Sequence, residues 1–180
     1  MNLKMYHEKY DVLKNIKRFA MERVIEPQNL CDHGYGVGSL FYLICESSNI
    51  EVTAKDLFRV MNHDFAETYT GDINRIVKEF SPSSSVCWYT IEEEVIPSNL
   101  KEYTDKGMED HMSQEKIEIF KLADNLDAFM YCEREYKSGN THLSFAGHRY
   151  RAKIRTQLEE IKSILSTSSI RRIEDILSIF

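Results

Sequence analysis

The chain has no long hydrophobic run and contains little proline and glycine. No stretch approaches the roughly 20 apolar residues of a membrane span, and the charged N-terminal segment MNLKMYHEKY lacks the apolar stretch of a signal peptide. With 3 Pro, 7 Gly and 42% hydrophobic residues, the composition excludes collagen-like, low-complexity and disordered classes. A length of 180 residues predicts a single domain over residues 1–180. Because no apolar stretch is long enough for a membrane span, no membrane partner is expected.

The spacing of the cysteines and the net charge argue against disulfide-rich, structural-zinc and nucleic-acid-binding proteins. Cys31, Cys45, Cys87 and Cys132 form no CxxC motif, so neither a disulfide framework nor a structural zinc motif is indicated. A reducing, cytoplasmic location is therefore expected. The 23 basic and 29 acidic residues give a net charge of −6, which argues against nucleic acid as a partner. A phosphorylated ligand would need a local cationic site.

Apolar residues recur at three- and four-residue steps along most of the chain, without a sustained alternation of β-branched residues. This pattern predicts an all-α fold, a helical bundle held by helix-on-helix packing. The periodicity predicts a first helix that ends between Arg18 and Met21, a buried helix from Gly36, and a long helix over Ser113–Lys137. The polar break SPSSS at 81–85 predicts a loop near a cleft.

A His63-Asp64 pair lies within the segment TAKDLFRVMNHDFAETY, which is predicted to form one helix capped by Thr53. Glu67 follows His63 by four residues and would share its face of that helix. A carboxylate in this position suits a general acid or base. The turn TGD ends the helix, and its Asp72 is either a supporting carboxylate or a turn residue.

Two further residues extend the pair into a candidate metal site. His33 lies 30 residues before His63, and Asp124 lies 60 residues after Asp64, in the long later helix. If the bundle brings these helices together, two imidazoles and two carboxylates form a mixed nitrogen and oxygen ligand set. Such a set suits a catalytic divalent transition metal with open positions for water and substrate.

Three sequence blocks resemble the HD-domain phosphohydrolases, and more narrowly the bacterial 5′-deoxynucleotidases and related phage deoxynucleoside triphosphate triphosphohydrolases. NHDFAETYTGDI is similar to the HD-x-x-E-x-x-T-G-D-[IL] block of that family. IKRFAMERVIEPQNLCDHGYGV resembles its R-[WF] segment followed by the first metal histidine, and KLADNLDAFMYCEREYKSGN resembles its K-x-A-D segment. The blocks cover about residues 12–140 in the family's order.

The resemblance implies an HD-type bundle with a metal site between helices, and a role for each matched residue. The implied metal ligands are His33, His63, Asp64 and Asp124, for one divalent ion such as cobalt, manganese or zinc. Glu67 would act as acid or base or orient the attacking water, and Asp72 would lie near the sugar or leaving group. The implied substrate contacts are Arg18 and Lys78 for phosphate and Phe19 for the sugar.

The chain also departs from the family's pattern in two places. Asp32 and Gly34 flank His33, where relatives usually have glutamate and a small hydroxyl residue, so the surroundings of this histidine are expected to differ. The short helix predicted for INRIVKEF lacks a proline that relatives often have there, and its Arg75 and Ile76 could reshape recognition of the base or the phosphate.

The implied activity is metal-dependent release of phosphate from deoxynucleoside 5′-monophosphates. One alternative is hydrolysis of a deoxynucleoside triphosphate such as dATP, releasing deoxynucleoside and tripolyphosphate, with Arg75, Lys78 or Lys121 holding the additional phosphates. A second alternative is a nucleotide-binding protein without turnover. The resemblance further suggests a homodimer or higher homo-oligomer.

Overall fold

The computed structural model describes residues 2–73 and 80–178. Within these ranges the chain is helical, and its only strand-like pairing is an isolated antiparallel bridge between Lys17 and Asn29. The α-helices in chain order are α1 (Leu3–Leu13), α2 (Leu30–Ser47), α3 (Ala54–Met61), α4 (Glu67–Thr70), α5 (Pro82–Val95), α6 (Asp105–His111), α7 (Gln114–Lys137), α8 (Ser144–Ile161) and α9 (Thr167–Leu177). Shorter 3₁₀ helices cover His63–Ala66, Ser98–Tyr103 and Thr141–Leu143. The all-α prediction is confirmed.

The main hydrophobic core lies where α7 packs between α2 and α8. Its fully buried members include Phe41 of α2, Leu122 and Phe129 of α7, and Ile154 of α8. Burial of side chains of this size contributes roughly 1.5–3 kcal/mol each.

None of the helices in the described ranges is long and apolar enough to cross a membrane.

The buried helix α2 begins earlier than its sequence predicts. Asn29 accepts a hydrogen bond from the Asp32 amide at 2.9 Å and caps the helix, which therefore starts at Leu30 and not at Gly36. As a consequence, His33 lies in the first turn of α2 instead of in the loop before it.

The prediction that the first helix extends to Arg18–Met21 is wrong, because α1 ends at Leu13. The chain then pairs with a distant segment: the Arg18 amide donates to the Gln28 carbonyl at 2.9 Å, and the Leu30 amide donates to the Ile16 carbonyl at 3.2 Å. These long-range hydrogen bonds replace those of a continued helix. They hold Arg18 beside the start of α2.

The segment with the His63-Asp64 pair is not one helix, as the periodicity predicts. The capping box of Thr53 and Asp56 is confirmed, but α3 ends at Met61. The Asn62 side chain donates to the Phe58 carbonyl at 2.6 Å, a side-chain bond that competes with helical continuation. The chain continues as the 3₁₀ helix and then α4, which stops at Gly71 with a φ of 73°.

Two predictions concern the region after this turn. The loop predicted at SPSSS is wrong, because Pro82 begins α5, and proline fits the first turn of a helix. The helix predicted for INRIVKEF falls mainly on residues 74–79, outside the described residues, together with Arg75 and Lys78.

Candidate active site

His33 lies at the centre of the candidate site and is 1% exposed. Its Nε2 atom is 3.1 Å from Asp124 Oδ1 and 3.8 Å from Asp64 Oδ2. On the other side of the ring, Nδ1 is 2.7 Å from Asp127 Oδ2 and 2.6 Å from Arg18 Nη1. Charged groups from several parts of the chain therefore surround one buried imidazole.

His63 faces the same point from the 3₁₀ helix. Its Nδ1 is 2.8 Å from the Val60 carbonyl, an acceptor that requires the proton on Nδ1. The lone pair of Nε2 then faces the site, 3.3 Å from Asp64 Oδ1. Ligand atoms of His33, His63 and Asp64 all lie within 4.8 Å of one another, so one ion could contact all three.

Asp124 joins this group from α7 through its contact with His33. Burial disfavours its charged form, but the hydrogen bond to His33 and the nearby His63 and Arg18 more than offset this, so the pKa of Asp124 lies well below its usual value. The carboxylate is therefore ionised at neutral pH, as a metal ligand must be.

Arg18 is nearly buried and interacts with acidic groups. Its Nη2 is 4.0 Å from Asp124 Oδ1 and its Nη1 is 3.6 Å from Asp127 Oδ2. Burial alone would lower the pKa of the guanidinium, but the neighbouring carboxylates raise it, so Arg18 stays charged. A fixed guanidinium beside the histidines is well suited to bind phosphate oxygens.

Phe19 takes a left-handed backbone conformation with a φ of 54°, and its ring packs against two tyrosines. It stacks on Tyr131 with the ring centres 5.2 Å apart and meets the edge of Tyr150. Helices α7 and α8 thus hold Phe19 next to Arg18.

The remaining sequence-predicted residues are Glu67, Asp72 and Lys78. Glu67 is buried at the first position of α4, three residues after Asp64. Asp72 is half-buried and directly follows Gly71. Lys78 lies outside the described residues.

Sequence reasoning missed Asp127 and Gln28. Asp127 follows Asp124 by three residues on α7 and so shares its face, a spacing that could have identified it. Gln28 gives no such signal. Its amide donates to Asp127 Oδ2 at 3.2 Å, and its carbonyl oxygen lies 3.5 Å from Arg18 Nη1.

The donor set fits a divalent transition metal. Ligand atoms of two imidazoles and the Asp64 carboxylate lie together, and Asp124 contacts one of these imidazoles. Both histidines have an acceptor within reach of Nδ1 that leaves Nε2 for an ion. The cluster also concentrates negative charge from Asp64, Asp124 and Asp127. A cation would balance that charge.

Comparison with known proteins identifies one matching family. The sequence model of the YfbR-like 5′-deoxynucleotidases matches residues 5–169. A 5′-deoxynucleotidase of Klebsiella pneumoniae is 27% identical over 150 residues, which cover 76% of this chain and 75% of that protein. The 5′-deoxynucleotidase YfbR of Escherichia coli is 26% identical over 153 residues, which cover 78% and 77%.

Two solved structures have a similar fold. An HD-domain phosphohydrolase of Listeria innocua gives a TM-score of 0.74 at 21% identity and covers 99% of this chain and 90% of its own. The cyanophage S-2L HD phosphohydrolase DatZ, bound to dA and one catalytic Zn²⁺ ion, gives a TM-score of 0.68 at 17% identity, with coverage of 95% and 93%.

Proposed function

From the premise that the chain belongs to the YfbR-like 5′-deoxynucleotidase family, a family of metal-dependent HD phosphohydrolases, we propose where its chemistry takes place. The reaction is release of phosphate from deoxynucleoside 5′-monophosphates. The proposed metal ligands are His33, His63, Asp64 and Asp124. The observation that carries this proposal is the convergence of three of their side chains within 4.8 Å, with Asp124 3.1 Å from His33.

The protein residues bind and orient the substrate in this proposal. Arg18 holds the 5′-phosphate through its charged, nearly buried guanidinium. Phe19, fixed against Tyr131, packs on the sugar. When bound, a divalent ion would supply Lewis acidity that activates water and polarises the phosphoryl group. Glu67 takes the proton from the attacking water, and Asp72 lies toward the sugar or leaving group.

The surroundings of Lys121 favour a monophosphate over a triphosphate. Of the cations considered for the additional phosphates, Lys121 is 3.5 Å from Glu109 Oε1 and 3.6 Å from Glu118 Oε1. A β- or γ-phosphate placed there would have to compete with both carboxylates. Among the described residues, Lys121 is therefore poorly placed to hold a further phosphate, which supports a ligand with one phosphate.

For the metal, we propose zinc, manganese or cobalt. Mixed imidazole and carboxylate ligands accept each of these ions, and the DatZ structure holds Zn²⁺. Loading the metal-depleted protein with each ion in turn and measuring phosphate release would rank them.

A homodimer or higher homo-oligomer is also part of the proposal. On α2, the side chains of Tyr35, Tyr42 and Leu43 are 68%, 42% and 53% exposed, and their spacing of seven and eight residues places them on one face. Light scattering after size exclusion would give the mass. Tyr42→Glu should shift an oligomer toward monomer.

We propose a cytoplasmic location, which the free thiols of its cysteines support. Cys45 and Cys132 are fully buried, and burial raises the pKa of each thiol to about 12. Thiols of this kind are unreactive structural residues suited to a reducing compartment. Cell fractionation with an antibody would test the location.

Product analysis tests the function directly. The metal-loaded protein is offered each deoxynucleoside mono- and triphosphate, with ribonucleotides alongside, and products are separated by chromatography. Nucleoside and phosphate from deoxynucleoside monophosphates alone are expected. Release of tripolyphosphate would show that a deoxynucleoside triphosphate is the substrate instead. If neither class of nucleotide is hydrolysed, the result favours a nucleotide-binding protein without turnover.

The role of Glu67 is tested by Glu67→Gln, which keeps size and removes the base. We expect phosphate release to fall by roughly 10²–10⁴-fold, the usual contribution of a general acid or base. Nucleotide binding, measured calorimetrically, should be retained. A variant with full turnover would exclude Glu67 as the acid or base.

A further inference from the structure

We propose that Asp127 is a positioning residue that fixes the proton of His33 on Nδ1, so that Nε2 is available to the metal. The inference rests on the proposed function, because it takes His33 as a ligand. It concerns a carboxylate outside the ligand set, on α7, together with a glycine of α2 that makes room for it.

Two groups compete for Nδ1 of His33. Asp127 Oδ2 is 2.7 Å away and can only accept a hydrogen bond, whereas Arg18 Nη1 is 2.6 Å away and can only donate one. If Arg18 donates, Nδ1 carries no proton, and the neutral ring has its proton on Nε2, where an ion would bind. If Nδ1 donates to Asp127, the lone pair of Nε2 remains free.

Asp127 also forms an ion pair with Arg18. Its Oδ2 lies 3.6 Å from Arg18 Nη1 and accepts a hydrogen bond from the Gln28 amide at 3.2 Å. The carboxylate, 13% exposed, therefore holds the guanidinium and the imidazole at once. It gives the Arg18 guanidinium a carboxylate partner beside His33, so that Arg18 can stay near the site when Nδ1 donates its proton to Asp127.

Gly36 is required for this placement. A Cβ atom at position 36 would lie less than 3.0 Å from Asp127 Oδ1. The atom it meets belongs to the end of a side chain, so the carboxylate would move and the helix backbone would not. Gly36 and Asp127 therefore act as a pair, in which the absence of one side chain admits the other.

The first test is metal affinity, measured with Zn²⁺ alone by competition against a chelator. Asp127→Asn and Asp127→Ala should bind Zn²⁺ about 10–100-fold more weakly than the unmodified protein, the usual effect of removing the hydrogen-bond partner of a histidine ligand. Asp175→Asn, an exposed change on α9, is the matched control and should bind as tightly as the unmodified protein. Equal affinity in the Asp127 variants would overturn the proposal.

The second test separates positioning from folding. Gly36→Ala keeps every charged group and favours the helix, because alanine has the higher helix propensity. It should weaken Zn²⁺ binding as Asp127→Ala does while retaining thermal stability. In the double variant Gly36→Ala/Asp127→Ala, the added methyl group should have no further effect. If each substitution weakens Zn²⁺ binding by its own factor and the two factors multiply in the double variant, Gly36 and Asp127 are not coupled.

The third test reads the proton position. In the Zn²⁺-loaded protein labelled with ¹⁵N-histidine, two-bond ¹H–¹⁵N spectra should show the proton of His33 on Nδ1. In Asp127→Ala at saturating Zn²⁺, the Nδ1 proton should exchange with water much faster. Unchanged protection of that proton would refute the role of Asp127.

These readouts do not depend on nucleotide hydrolysis. If the protein binds Zn²⁺ in an Asp127-dependent way but releases no phosphate, the proposed function fails and this inference stands. If phosphate is released while Asp127 variants bind Zn²⁺ normally, the inference fails alone. A protein whose Zn²⁺ binding is unaffected by His33→Ala would overturn it as well.

Discussion

Replacement of Glu135 by glutamine tests how the segment that carries Arg18 is held. The Glu135 carboxylate is 1% exposed and accepts three hydrogen bonds, from the Ile25 amide at 2.7 Å, the Glu26 amide at 2.8 Å and the Asn140 side chain at 2.7 Å. Residues 25 and 26 lie between Arg18 and His33. One buried side chain of α7 therefore anchors the loop that connects them.

The expected loss of stability follows from the number of hydrogen-bond donors that face Glu135. Oε2 accepts from Ile25 and Asn140, and Oε1 accepts from Glu26. A glutamine whose oxygen takes the place of Oε2 loses the hydrogen bond from the Glu26 amide. Its hydrogen bonds from Ile25 and Asn140 remain, but their acceptor is no longer charged. We expect a loss of about 2–3 kcal/mol in the free energy of unfolding, since hydrogen bonds to charged groups contribute roughly 1.5–3 kcal/mol each. Alanine, which leaves all three donors without this acceptor, should cost roughly 4 kcal/mol or more.

The pH dependence gives a second signature. Burial raises the pKa of Glu135, but the amides of Ile25 and Glu26 and the side chain of Asn140 lower it below the ordinary value of 4.5. The stabilisation is therefore fully present above 4.5 and is lost as the pH falls through the lower folded-state pKa. Glutamine does not titrate, so the stability gap between the two proteins should narrow in acid.

Urea unfolding followed by circular dichroism at neutral and acidic pH measures both effects. Glu159→Gln, which changes an exposed residue of α8, is the matched control and should alter stability by less than about 0.5 kcal/mol. If Glu135→Gln is as stable as the unmodified protein at neutral pH, or if the gap does not change with pH, the reasoning is refuted.

Three further predictions concern the metal and the packing around it. Chelation of the metal should abolish phosphate release and lower the melting temperature, because an ion at 100 times its Kd stabilises a protein by about 2.7 kcal/mol; equal melting with and without saturating Zn²⁺ would contradict this. Gly34→Ala should destabilise the protein by about 1–3 kcal/mol in urea, and more than Gly36→Ala, since its Cβ would meet the backbone carbonyl of Met61; equal stabilities would refute that contact. Lys116→Met should cost about 3 kcal/mol at neutral pH, because it removes the partner 2.7 Å from the buried Asp56. Burial raises the pKa of Asp56, but Lys116 and Thr53 lower it below 3.8 overall, so this cost should shrink in acid, and a pH-independent cost would contradict the pairing.

Much of the fold follows from local sequence signals. The capping box at Thr53 and the long helix after Ser113 form as predicted, because hydrogen bonds and side-chain periodicity within one segment determine them. The predictions that fail depend on distant residues. The first helix stops at Leu13 since the chain at Arg18 pairs with Gln28, ten residues later, and periodicity carries no information about such a partner.

The candidate site divides in the same way. The residue types and order of His33, His63, Asp64 and Asp124 are enough to suggest a mixed ligand set, because each lies in a sequence block that resembles one family of metal-dependent enzymes. The spacing of Asp127 from Asp124 places both on one face of α7, but the contact of Asp127 with His33 depends on the approach of α7 to α2. That approach is a property of helix packing, which the spacing of residues within one helix does not determine.

The two glycines beside His33 explain how one turn of α2 can meet helices on both sides. A Cβ at position 34 would approach the Met61 carbonyl, and a Cβ at position 36 would approach Asp127, in each case to less than 3.0 Å. Positions two apart on a helix point about 200° apart, so these residues face α3 and α7 respectively. Gly34 thereby lets the end of α3 bring His63 and Asp64 toward His33, while Gly36 admits a carboxylate to its opposite ring nitrogen. The unusual CDHGYG sequence is thus accounted for by close packing on both sides of the proposed ligand.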